Sequence, residues 1–129
     1  MPQVKVFATR ETINTYRPAI SAGIHAALVE ALGIPPGKPF QHFVALEPEN
    51  SVLPPDRSPQ YLLIEISLFS GRSTAAKKNL IRSLYRELTA RTDITPANIE
   101  VILYEAPPEN WGIKGRPGDE VELSYRVDI

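Results

Sequence analysis

A spacing of 60 residues constrains this chain more than any single residue in it. Pro48-Glu49-Asn50 returns as Pro108-Glu109-Asn110, Pro36 as Pro96, and Ile34 as Ile94. Apolar positions follow the same offset: Val4 and Val6 answer Ile64 and Ile66, and Leu28 answers Leu88. Because one offset runs through strand-like, helix-like and turn-like stretches, it marks a strand–helix–strand unit used twice. The copies span 2–50 and 62–110 of a single domain of 129 residues, followed by an arm over 111–129. They differ in one chemically important way. The first copy opens at the chain terminus with Pro2, whereas the second opens in mid-chain and offers no terminal amine.

Local patterns fill in each unit. Gln3 to Ala8 alternates polar and apolar residues, which predicts a half-buried strand. Tyr16, Ile20, Ile24, Ala27, Leu28, Ala31 and Leu32 recur at helical spacing as one apolar stripe. Pro18 is comfortable only in a first turn and so places the N-cap of that helix at Asn14 or Thr15. Gly33 ends it. Phe40 to Leu46 reads as a second strand, with Phe40, His42, Val44 and Leu46 on one face and Gln41, Phe43 and Ala45 on the other. Residues 61–69 form the most apolar strand, placed centrally. Ser73 then caps a helix whose buried stripe is Ala76, Leu80, Leu84 and Leu88, with Lys77, Lys78, Arg82 and Arg86 facing water. Ile99 to Glu105 is the fourth strand.

Right-handed crossovers turn these units into an α+β fold, a four-stranded sheet with both helices on one face. The other face would leave Leu63, Phe43 and Ile102 wet, so self-association is expected to cover it. Glu120 to Val127 alternates once more and predicts a C-terminal strand for pairing between subunits.

Several function classes are excluded by composition. Hydrophobic residues at 43% and charged residues at 22% describe a folded chain. A net charge of −1 carries no nucleic-acid footprint. No cysteine is present for a disulfide or thiolate metal site. Neither a membrane-spanning apolar run nor a secretion signal is evident, so a cytoplasmic protein is the expectation. His25 and His42 lack partners at metal-ligand spacing, no serine sits in a nucleophile elbow, and Gly112, Gly115 and Gly118 do not open a helix. Neither a metal nor a cofactor is expected.

Pro2 carries the chemistry. If Met1 is removed, Pro2 becomes a secondary amine at the start of a strand. Terminal amines have pKa values near ~8, more than two units below lysine. An apolar pocket and a nearby cation both disfavour the charged form and lower the value further, which suits a general base near neutral pH. Arg72, in the turn after the central strand, is the candidate cation, and its guanidinium can grip a carboxylate in bidentate fashion.

Taken together, five features resemble the tautomerase superfamily and, within it, the malonate semialdehyde decarboxylase-like branch. They are Met1-Pro2 opening a strand, the doubled β-α-β unit, Phe40-Gln41 at strand two, Gly71-Arg72-Ser73 before the second helix, and Glu109-Asn110-Trp111-Gly112. The match runs over about residues 2–115. The resemblance implies a tautomerase-type fold and a homotrimer. It also implies a catalytic amino-terminal proline at Pro2, an arginine at Arg72 that holds the substrate carboxylate, and an aromatic pocket wall at Trp111. Three departures matter. The decarboxylase's second arginine falls in Phe69-Ser70-Gly71, its acidic residue falls at Lys38 or Gly37, and its second aromatic falls at Ile113. Lys38 could supply a cation in place of the missing arginine. The expectation is therefore a keto–enol tautomerase for a small 2-oxo or enol carboxylic acid. The alternatives are a malonate semialdehyde decarboxylase-like lyase or a non-catalytic trimeric member.

Overall fold

The computed structural model describes residues 1–129. In chain order it comprises β1 (Gln3–Thr9), α1 (Arg10–Leu32), β2 (Gln41–Leu46), β3 (Leu62–Phe69), α2 (Thr74–Arg91) and β4 (Ile99–Ala106). Two short strands follow, β5 (Gly112–Ile113) and β6 (Arg116–Pro117), paired as a hairpin. The main sheet has the order β2-β1-β3-β4. Its outer pairs are parallel and its central pair, β1 with β3, is antiparallel.

Register makes the 60-residue spacing concrete. Val4 pairs with Gln41 in β1–β2, and Ile64 pairs with Val101 in β3–β4, each partner set displaced by the same 60. Across the central pair Lys5 faces Glu65, its own counterpart, so an approximate two-fold axis passes between them. Each β-α-β crossover closes a parallel pair, and the axis joins the two pairs head to tail.

One core lies between the sheet and both helices. Val4, Val6 and Ala8 of β1 and Leu62, Ile64, Ile66 and Leu68 of β3 point into it, against Ile20, Ile24 and Leu28 of α1 and Leu80, Leu84 and Leu88 of α2. Burying each of these larger side chains contributes about 1.5–3 kcal/mol. Close packing also needs Gly23, where an added Cβ would stand 3.3 Å from Leu88 Cδ2.

Two expectations are corrected. Helix α1 begins a turn earlier than Pro18 suggested: Thr9 is its N-cap, accepting from the Thr12 amide at 3.3 Å, and Pro18 lies inside the helix. The ring is on the wet side, where the carbonyl that proline leaves unpaired can reach water. Phe43 and Ala45 pack against the core, while Val44, Ile102 and Tyr104 are exposed on the other face. Of the residues expected to be wet, Phe43 is therefore on the covered side and Leu63 is only half-exposed. The segment 120–127 forms no strand in the single chain. Its side chains alternate between half-buried and exposed as the pattern demands, but it has no ladder partner. Gly33 as C-cap (φ 66°) and Ser73 as N-cap of α2 stand as read.

Candidate active site

Because β1 and β3 run antiparallel, the start of the chain lies beside the end of β3. Gln3 pairs with Ser67, and the turn Ser70-Gly71-Arg72 follows directly. Val4 donates its amide to the Phe40 carbonyl at 2.9 Å, fixing the terminus against the entry to β2. The sheet alone thus gathers Met1, Pro2, Phe40 and Arg72 at one edge.

Gly71 has φ 130°, a conformation that only glycine adopts without strain, and it turns the chain so that Arg72 points inward. Arg72 is only 6% exposed. Its Nη1 donates to the Phe69 carbonyl at 3.2 Å, while Nε and Nη2 are buried without partners. Burial lowers the guanidinium pKa, and Tyr125 and Glu105 oppose that shift. The Met1 amine is pushed down from 8.0 to about 6, first by burial and second by the Arg72 charge. Pro2 itself is buried beneath Met1.

Two cavities meet here. One of about 320 Å³ is lined by Met1, Gln3, Phe40, Trp111, Ile113 and Lys114. The other, about 70 Å³, is lined by Met1, Lys38, Ile113 and Lys114 together with the arm from Val121 to Tyr125. Trp111 stands edge-on to Phe69, ring centroids 5.1 Å apart at 71°, with its Nε1 buried and unpartnered. Gly118 holds this wall in place. Its amide donates to the Trp111 carbonyl at 2.7 Å, and an added Cβ would sit 2.5 Å from the Pro108 oxygen.

Pro2, Lys38, Arg72, Trp111 and Ile113, all singled out in the sequence, therefore come to one end of the sheet. Arg72 borders neither cavity. Lys38 is exposed at the mouth of the smaller one. Sequence reasoning missed Gln3, Lys114 and Tyr125. Tyr125 had a signal in the alternation of 121–127, but nothing local shows that it meets a residue 53 positions earlier.

Elsewhere the chemistry is weaker. A larger groove of about 410 Å³ along the start of α1 is lined by Arg10 and Glu47, which pair with each other at 2.8 Å in the open. No buried cation or amine lines that groove. His25 Nε2 lies 2.7 Å from the Pro36 carbonyl, and His42 is exposed on the open sheet face. No three His, Asp or Glu side chains gather as a metal site. No helix is long and apolar enough to cross a membrane.

Comparison with known proteins places this geometry. The family model described as a tautomerase enzyme (Tautomerase_2) matches residues 38–114. A 2-hydroxymuconate tautomerase of Pseudomonas putida is 37% identical over 57 residues, which is 44% of this chain and 90% of the relative. Its counterpart in Comamonas testosteroni is 35% identical over the same length. Such a match is close in length to the 60-residue spacing between the two copies. Among solved structures, a fused 4-OT described as an asymmetric trimer superposes with TM-score 0.80 at 21% identity, covering 91% of this chain and 96% of that one. A malonate semialdehyde decarboxylase gives 0.79 at 23%, covering 92% and 99%. These two share the fold.

Proposed function

Since this chain belongs to the tautomerase family, we propose that it interconverts the keto and enol forms of a small 2-oxo acid, with Pro2 as acid–base. The observation that carries this reading is the terminal amine, held near pKa 6 by burial and by Arg72. Removal of Met1 would leave the Pro2 nitrogen beside the same buried surroundings and Arg72 charge, both of which favour the uncharged form. In ketonisation the nitrogen takes the enol O–H proton as the C2–O bond gains double-bond character, and it delivers a proton to C3. The net change is an isomerisation. Arg72 supplies the charge that draws the carboxylate in and steadies the enolate oxygen. Phe40, Trp111 and Ile113 form an apolar wall that keeps water from the carbanion-like carbon. Lys38 adds a second cation at the mouth. A homotrimer would cover the open sheet face, and a trimer is the assembly described for the fused 4-OT.

The test is ketonisation of phenylenolpyruvate by Met1-free protein, its state verified by intact mass. Pro2→Ala keeps a terminal amine but loses the secondary one and its fixed placement. Loss of acid–base catalysis is expected to lower kcat/KM by roughly 10²–10⁴-fold. Equal rates for the two proteins would remove Pro2 from the mechanism. If Met1 proves to be retained, Pro2 is an amide and the catalytic reading fails. Release of acetaldehyde from malonate semialdehyde would instead favour the lyase.

A further inference from the structure

Lys114 is the only residue other than glycine whose φ is positive, at 52°. It sits with Gly115 (φ 83°) between β5 and β6, where Ile113 pairs with Arg116 across a two-residue turn. Such turns favour asparagine and glycine, because a Cβ in the left-handed region crowds the backbone. A lysine therefore gains nothing from the turn itself. Lys114 is exposed, yet it borders both cavities at the chain terminus. No ion pair engages its ammonium.

The other cations at this end of the sheet are less well placed for a carboxylate. Arg72 is 6% exposed and borders neither cavity, so its charge acts only through space. Lys38 borders only the smaller cavity, about 70 Å³, which Glu122 also lines. A second carboxylate there would meet a like charge. The larger cavity, about 320 Å³, has no acidic residue in its lining, and Lys114 is its only charged side chain. Gln3 contributes an uncharged amide, and Phe40, Trp111 and Ile113 contribute apolar surface. One cation, one amide and an apolar wall fit a monocarboxylic acid with an apolar body.

We infer that Lys114 is the substrate-binding cation of the larger cavity, its ammonium pairing with the carboxylate of such an acid while the apolar body lies along Phe40 and Trp111. This rests on the site being one for a small carboxylic acid. It makes Lys114 the direct contact and leaves Arg72 to act on the terminal nitrogen and the ligand without touching either.

Lys114→Asn removes the cation and suits the turn, so Tm should hold or rise. Trp111 borders the same cavity and is the sole tryptophan. Its fluorescence reports binding of 3-phenylpropanoate, which cannot tautomerise, and of neutral 3-phenylpropanamide to Met1-free protein. Loss of a partly exposed ion pair predicts a Kd for the acid weaker by about threefold or more. The Kd for the amide should stay within about twofold, and Lys114→Arg should bind the acid more tightly than Lys114→Asn does. A smaller loss for the acid overturns the inference. So does an equal loss for acid and amide, or a parent protein that does not bind the acid. If Lys114→Asn does not fold, Lys114→Gly carries the same comparison. A parent that binds 3-phenylpropanoate but leaves phenylenolpyruvate untouched would sink the tautomerase reading and spare the Lys114 assignment.

Discussion

Met1 and Arg72 illustrate how one buried cation tunes another group. Both burial and the Arg72 charge favour the neutral amine, and burial is the larger cause. Replacing Arg72 by Gln removes only the charge effect. In the Met1-bearing chain the amine midpoint, followed by NMR, should therefore rise from about 6 toward 8.0 without reaching it. An unchanged midpoint would mean that Arg72 does not act on the terminus. Most of the site residues were legible at this scale, because proline at a terminus and arginine after a strand carry their chemistry in their type. Tyr125 was not, since a tyrosine in an alternating segment reads as packing until its neighbours are known.

The same repeat unit yields a site at one end of the sheet and none at the other, and the reason lies in where the two helices start. Counted by the 60-residue offset, Arg72 corresponds to Thr12 and Met1 to Tyr61. Helix α1 begins at Arg10, so Thr12 lies within its first turn, with its hydroxyl donating to Pro59 O at 3.2 Å. Helix α2 begins only at Thr74, leaving Arg72 in a loop whose geometry Gly71 sets. Forcing a side chain into that conformation typically costs about 1–3 kcal/mol. Gly71→Ala should lower Tm by several degrees and also lower kcat/KM, because the turn that aims Arg72 is displaced. A variant with full activity and unchanged Tm would show that the turn tolerates a side chain. The sequence placed this helix start wrongly because Pro18 outweighed Thr9 in a local reading. Solvent on the proline face and the Thr9 cap reverse that balance in the folded chain.

At the scale of the whole molecule, the sheet is covered on one side only. Val44 (37% exposed), Ile102 (41%) and Tyr104 (49%) lie on the uncovered side, where apolar surface of this kind favours association. If this face joins subunits, Ile102→Glu should bring the sedimenting mass down to that of one chain while leaving the helical signal intact. A mass unaffected by the substitution would place the interface elsewhere. By itself the sequence determined the doubled unit, the strand and helix content and the residue types of the site, because periodicity and offset are properties of the chain read along its length. Only the tertiary structure decided that Arg72 is buried, that Phe43 packs against the core and that the arm lines a cavity together with Met1. Those facts depend on which distant segments meet, and contact across a two-fold sheet leaves no mark in local spacing.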